Sequence, residues 1–442
     1  MNKVRQLLEL VRSSLWFVPT LAVLGGIALA FGLIEAESAI DRKMLIERWP
    51  LLFGAGAEGS RGMLAAIASS MITVAGVAFS ITIVALALAS SQYSSRILRN
   101  FMGDHANQSV LGVFMGVFAY CLIVLRSIRG GDEGGFVPSL AVLGGVVLAF
   151  VGVGFLIFFV HHIAASIQAS SIIKAAADET LATVDRLFPA ELGEPVGADE
   201  ERELPSPSSQ TWFAIPAETT GYLQSIDAKR LLRFAEQNDS IVRMERGIGD
   251  FVVEGSPLVS LAGSKPDDAT VCELNAAYTL GRQRTITQDA AFGIRQIVDV
   301  ALKALSPGIN DTTTAIICID YLGAILVRVA SRRIASTSRS VDGELRVIAR
   351  GPNFADLLAD AFDQIRQNAE SNTAVLTRLL NTLSIIAGRT TAAPRRRALL
   401  KQADLIVEAA GRGIRCQHDC KSVHAAHGRF GEMIITRTED RA

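Results

Sequence analysis

The chain has 442 residues, half of them hydrophobic, a formal net charge of −1 and a mean hydropathy of +0.33. That balance leaves no global basic field for nucleic acid, so no nucleic-acid partner is expected. Five scattered cysteines (Cys121, Cys272, Cys318, Cys416, Cys420) exclude a disulfide framework and point to a reducing compartment for the soluble part.

The mean hydropathy averages two unlike halves. Up to about residue 165 the chain is membrane-like, and the remainder is soluble and mixed in charge. Lys3, Arg5 and Arg12 precede an apolar run over residues 15–34. The run is too long for a signal-peptide core, and no small-residue cleavage site stands out before Glu35, so a retained first crossing is expected.

The second crossing, about 64–91, organises the rest. No charge occurs between Arg61 and Arg96. As a helix, that stretch would reach about 50 Å, against the ~30 Å of a bilayer's hydrocarbon core, so it must tilt, bend or protrude. Ser69, Thr73, Gly76, Ser80, Ala87 and Ser91 recur at three- to four-residue spacing and give one small, mildly polar stripe. Such a stripe is a helix-packing face or the lining of a polar path.

A third crossing is expected at about 109–125, with Arg126 snorkelling at its end, and a fourth at about 136–160. Phe17-Val-Pro-Thr-Leu-Ala-Val-Leu-Gly-Gly26 returns as Phe136-Val-Pro-Ser-Leu-Ala-Val-Leu-Gly-Gly145. Pro19 and Pro138 fit a first helical turn, and the paired glycines fit close packing. With four crossings the two copies run in opposite directions, as in inverted repeats or simply a reused entry motif. The loop with Arg42, Lys43, Arg48 and Arg61 is as basic as the loop with Arg96 and Arg99, so loop charge hardly discriminates orientation. The basic N-terminal flank favours an inside start, which places both termini in the cytoplasm. His161 and His162 end the fourth crossing as interfacial polar residues.

Residues 166–210 read as a helical extension followed by an acidic, Pro- and Ser-rich linker. Residues 211–263 read as a small β module, with a helix near 228–237. Within it, Gly247-Ile-Gly-Asp-Phe-Val-Val-Glu-Gly-Ser-Pro-Leu258 resembles a biotinyl/lipoyl-type barrel-sandwich hybrid. No lysine lies between Lys229 and Lys265, so no attached cofactor is expected, and the module reads as a docking or oligomerisation element. Residues 264–415 are mainly helical, with helices near 288–305, 313–329, 353–388 and 394–411 and one strand near 344–349.

Several motifs resemble one family. Ala78-Phe-Ser-Ile-Thr-Ile-Val-Ala85, Ser90-Ser-Gln-Tyr-Ser94, Arg282-Gln-Arg-Thr285, Gln288-Asp-Ala-Ala-Phe-Gly293 and Ala304-Leu-Ser-Pro-Gly-Ile-Asn-Asp311 are similar to the predicted bacterial membrane proteins of the domain of unknown function 2254 family. The resemblance runs from the first crossing to about Gly388 and leaves the last thirty or so residues outside. Thr312 stands where the pattern has a proline after the aspartate. The resemblance implies an inner-membrane location and this overall layout, and it implies no activity.

Two clusters carry candidate chemistry. Arg282, Arg284 and Arg295, with Ser306, Asn310, Asp311 and the helix start near Thr312, form a candidate site for a small anionic ligand. The alternative is structural, with Asp289 and Asp299 pairing those arginines. In the tail (416–442), Cys416, Cys420, His424 and His427 share a helical face and have metal-ligand chemistry. On one straight helix the outer two lie ~16 Å apart, so a bend or a second chain would be needed. No Gly-x-Ser-x-Gly, phosphate-cradling loop or His-Glu-x-x-His occurs, so no catalytic residues are expected.

The sequence therefore predicts an α-helical polytopic membrane protein with four crossings (a transmembrane domain over 1–165) and a cytoplasmic α+β part with a barrel-sandwich-like module. A lipid bilayer and further copies of the chain are the expected partners. Two functions fit: an oligomeric channel or transporter gated by the soluble part, and a membrane-tethered sensor or scaffold. No charge lies inside the apolar runs, which disfavours an ion-coupled pump.

Overall fold

The computed structural model describes residues 16–38, 56–92, 104–129, 136–187, 194–195, 211–332, 338–341 and 343–439. The expectations resting on Lys3, Arg5, Arg12, Arg42, Lys43, Arg48, Arg96 and Arg99, and nearly all of the linker, lie outside these residues. The chain divides into two compact units, Met1–Ser171 and Ile172–Ala442.

Among its described residues the first unit has four apolar helices: α1 (Phe17–Ser38), α2 (Ala57–Gln92), α3 (His105–Ser127) and α4 (Ser139–Ser166). Each is long and apolar enough to cross a membrane. The expected third crossing underestimates α3. This helix has 23 residues and is the one on which the other three pack. Its length was hidden because its first turn is polar, with Asn107 and Gln108 buried beside Val110 and Phe114. Gly112 meets Pro19 and Ala22 of α1, and Gly26 stacks directly on the backbone of Gly116. Backbones this close are what small residues permit in an apolar surrounding. Gly144 and Gly145 of α4 instead receive Tyr120 and Leu64. The Tyr120 hydroxyl donates to the Ala141 carbonyl (2.6 Å).

The two copies of the repeated motif run antiparallel. Glu37, buried near the end of α1, accepts from the amides of Ser139 (2.6 Å) and Leu140 (2.9 Å) at the start of α4. A carboxylate there satisfies orphan helix donors and complements the positive end of the dipole. Pro138 therefore sits at the cap of α4, one place before the expected first turn. Next to this end, Arg61 at the start of α2 donates to the Ile128 carbonyl just past α3 (2.8 Å).

The second unit opens inside α5 (Ala169–Leu187), a helix separated from α4 by two residues. The expected continuous extension is thus broken at Ile167 and Gln168. One face of α5 is buried through Ile172, Ile173, Ala176, Ala177, Thr180 and Val184.

Among the described residues, nine strands follow or flank α6 (Ala228–Gln237). They are β1 (Glu194–Pro195), β2 (Trp212–Pro216), β3 (Gly221–Ile226), β4 (Val242–Met244), β5 (Phe251–Val252), β6 (Pro257–Ala262), β7 (Tyr278–Gly281), β8 (Ser338–Val341) and β9 (Glu344–Ile348). They form two sheets, ordered β1-β8-β9-β4-β6-β2 and β5-β3-β7. No closed barrel is present among the described residues, and the β region is not confined to 211–263. Two causes are visible. Within the expected β module the chain breaks at Gly255 (φ +79°), which sends β5 and β6 to different sheets. β9 joins β4 in parallel, a pairing that needs a long crossover, here supplied by intervening helices.

Those helices are α7 (Asp268–Asn275), α8 (Ala290–Leu305) and α9 (Thr312–Ala330). After β9 come α10 (Phe354–Asn368), α11 (Thr373–Ala387), α12 (Ala393–Gly413) and α13 (Gln417–Glu439). The helix expected over 353–388 is two helices, because Asn372 caps a second start by accepting from the Val375 amide (3.2 Å). A fifth helix, α9, also has the length and composition of a membrane span.

Candidate functional site

The stripe on α2 points away from its own bundle. Leu64, Ala68, Met71, Ala75, Ala78, Thr82 and Ala85 are buried. Ser69, Thr73, Gly76, Ser80 and Ala87 are exposed and, at 3.6 residues per turn, fall on the opposite side of the helix. Thr73 turns its hydroxyl onto the Ser69 carbonyl (2.8 Å), which keeps the stripe only mildly polar. The Ser91 side chain lies outside the described residues. Flanking the stripe, a groove of about 700 Å³ separates α1 from α2 over Leu111 and Met115 of α3. Thr82 in its wall is bonded to its own helix, at the Ala78 carbonyl (2.8 Å). The interior of the bundle, by contrast, is filled by Phe114, Tyr120 and Leu64.

The candidate anion residues do not converge. Arg284 is held bidentately by Asp289 (2.8 and 2.9 Å), and its guanidinium lies 5.2 Å from the Phe292 ring centroid. Asp289 is buried and also caps α8, accepting from the Phe292 amide (2.9 Å). Arg295 pairs with Asp299 one turn on (2.8 Å), and Arg282 is exposed. Ser306, Asn310 and Asp311 stand at the other end of the 16-residue α8, about 24 Å away. There the chain makes a tight turn. Asn310 takes a left-handed φ of +48°, and Asp311 caps α9 through the Thr314 amide (3.0 Å) and hydroxyl (2.6 Å). Those two bonds, the hydroxyl first, hold the Asp311 carboxyl below the usual carboxylate range.

Carboxylates outnumber guanidiniums around Arg284. Asp360 lies near Arg284, Arg295, Asp289 and Asp356, and desolvation pushes its carboxyl upward despite the two arginines. Two arginines facing Asp289, Asp299, Asp356 and Asp360 offer no surplus positive charge to an anion.

The same residues form a three-way junction that spacing alone had not revealed. Gly249, in the turn before β5, adopts φ +91°. A Cβ there would come within 2.5 Å of Asp289 Oδ2 and 2.7 Å of Arg284 Nη2. Gln288 accepts from the Ile226 amide at the end of β3 (2.9 Å). Gly293 lies so close to Thr180 of α5 that no side chain fits between them. The segment 284–293 thus locks the β region, α8 and α5 together.

In the tail, Val423, Ala426, Phe430 and Ile434 dock α13, leaving Cys416 and His424 exposed and Cys420 half-buried. His427 pairs with Asp404 of α12 (3.0 Å). Among the described residues no group of three or more His, Cys, Asp or Glu is placed to hold a metal ion. His162, expected as a free interfacial residue, bonds Asp104 before α3 (2.5 Å) and stacks on Phe158.

Residues 12–384 match the family described as Predicted membrane protein (DUF2254). The chain belongs to this family. Uncharacterized protein Rv1290c of Mycobacterium tuberculosis and Uncharacterized protein Mb1321c of Mycobacterium bovis are each 34% identical to it over 444 residues, covering 98% of this chain and 83% of theirs. The family match ends close to Gly388, as expected from the motifs, while the similarity to these two relatives continues into α12 and α13. No solved structure matches the chain. Two of the three DUF2254-like motifs of the second unit have a visible physical role. Gln288-Asp-Ala-Ala-Phe-Gly293 is the junction, and Ser-Pro-Gly-Ile-Asn-Asp311 is the turn that reverses α8 into α9.

Proposed function

We propose that this DUF2254 protein is a bacterial inner-membrane protein with four crossings, α1 to α4, and cytoplasmic termini. Its copies associate through α2, so that the hydroxyl-bearing stripe lines a shared path for small ions or solutes. One observation carries this reading. The stripe lies opposite the buried face of a membrane-length helix, while the interior of the single-copy bundle is filled. A path within one copy has no room, and a path between copies has a lining. The fifth apolar helix, α9, is read as soluble. Its Asp320 pairs with Arg378, its Arg328 with Asp185, and ten of its residues are buried in the second unit. Gating by the soluble part follows from connectivity, since two residues join α4 to α5 and α5 is locked at Gly293.

The test is flux from proteoliposomes loaded with a fluorescent ion indicator, combined with disulfide cross-linking of Thr73→Cys and Ser80→Cys variants. Copy-to-copy cross-links are expected, together with ion flux abolished by Ser80→Leu. Absence of both cross-links and flux would overturn the reading. The second reading, a membrane-tethered sensor or scaffold, loses its expected site at Arg284 but is favoured by an arginine cluster elsewhere.

A further inference from the structure

We propose that the second unit binds a small organic anion, a phosphate or carboxylate on an apolar body, in a cavity between α5, α9 and the residue after α11. The proposal gives the sensor reading a site. It stands whether or not α2 lines a path. The cavity measures about 450 Å³; Leu181, Ala324 and Val327 give it apolar lining, and Arg328, Arg389, Ser331 and Asp185 give it polar lining.

Charge is what separates this place from the Arg284 cluster. Among the described residues Asp185 is the one acidic side chain lining the cavity, and it is shared by two arginines, Arg328 (2.8 Å) and Arg332. Their bonds, that from Arg328 first, hold the Asp185 carboxyl below its ordinary range. Behind them Arg395 spends its donors on neutral acceptors, the carbonyls of Ala330 (2.6 Å) and Arg332 (2.8 Å). Arg389 is exposed at the cavity and has no carboxylate partner among the described residues. Among the described residues, two guanidiniums and one carboxylate therefore line the cavity, with Arg332 and Arg395 beside it. At Arg284 the ratio is reversed.

The chemistry follows from the walls. A guanidinium fork recognises phosphate or carboxylate oxygens bidentately, and Arg389 is the fork left open. The apolar lining favours a ligand with a hydrocarbon or aromatic body over a bare inorganic ion. Arg395 also closes off the carbonyl end of α9, whose dipole would otherwise repel an anion. Ligand and α5 would meet directly through Leu181 and Asp185, on the helix two residues downstream of α4.

The phosphate could belong to a free metabolite or to a lipid headgroup, and two probes separate these sources. Full-length protein in nanodiscs is titrated calorimetrically with phenyl phosphate, and separately with dihexanoyl phosphatidylglycerol below its micellar concentration, against chloride at matched ionic strength. Saturable binding of at least one probe is expected, about tenfold weaker in Arg389→Ala, partly restored in Arg389→Lys and unchanged in Arg282→Ala. The phenyl phosphate arm alone would point to a soluble ligand, and the lipid arm alone to a headgroup. Should Arg389→Ala fail to fold, Ser331→Trp, which fills the cavity without removing a charge, replaces it with the same expected loss. No saturable heat with either probe, or equal affinity in wild type and the cavity variants, overturns the proposal.

Discussion

The two units solve the same problem, holding helices together, with opposite materials. Between α1 and α3 the contact is nearly bare backbone: Gly26 on Gly116, and Ala22 beside Gly112. Between α11, α12 and α13 it is filled by side chains, with Leu380, Leu383, Ile406, Phe430 and Val423 all fully buried. Polar groups differ in the same way. The first unit places its long-range polar bonds near helix ends, as at Glu37, Arg61 and Asp104. The second places ion pairs along its helices, as at Arg295, Arg378 and Arg412. On the proposed layout the second unit lies in water, which rewards burial of large apolar side chains, so large ones make the contacts there. Acyl chains give no such reward, so close fit and small residues take over.

The largest effect that would break this contrast is in the second unit. Phe430→Ala removes a fully buried ring from the face that docks α13, with an expected loss of about 3–5 kcal/mol. Hydrogen exchange checks it: protection of amides in α13 and the facing turns of α11 falls, while that of α1 to α3 does not. An unchanged exchange pattern would mean the tail helix contributes nothing to the unit it covers.

An intermediate effect is expected from Gly116→Val. No partner side chain can be displaced to make room, because the atoms it meets are the Ala22 carbonyl and its carbon. Overpacking of this kind costs about 1–3 kcal/mol. SDS titration of the protein in detergent micelles reads it, and the midpoint should drop. A substitution of equal size at Gly25, where nothing lies within 4 Å, should leave the midpoint in place.

How far these contrasts were legible beforehand depended on the range of the interaction. The runs of apolar residues gave three of the four bundle helices nearly in full, because length and absence of charge are local properties. α3 was cut short because its buried Asn107 and Gln108 look like a loop when read alone. The candidate anion site failed for a related reason. Arg284 and Asp311 are close in sequence, yet a helix of α8's length stands between them. Conversely, Gly249, Gln288 and Gly293 gave no sign of meeting, since each is an ordinary loop or helix residue until β3, α5 and α8 are packed. The helix start expected near Thr312 was legible, and Asp311 caps it.

That cap gives the smallest expected effect and the one most sensitive to pH. Asp311→Ala removes the acceptor of the Thr314 amide and hydroxyl, and loss of such a cap costs about 1 kcal/mol. Because the carboxyl is held below its ordinary value in the folded chain, its charge-dependent share of stability is complete above the unfolded value, about 3.9, and disappears as pH falls through the folded one. Wild type and Asp311→Ala should therefore differ most near neutral pH and converge in acid, in urea melts followed by exchange in α9. The Glu37 cap on α4 offers the contrast that sharpens the comparison: removing it should weaken the first unit and leave exchange in α9 untouched. If Asp311→Ala instead kept its full deficit below pH ~3, the turn would be held by backbone shape at Asn310, and the carboxylate would be incidental to it.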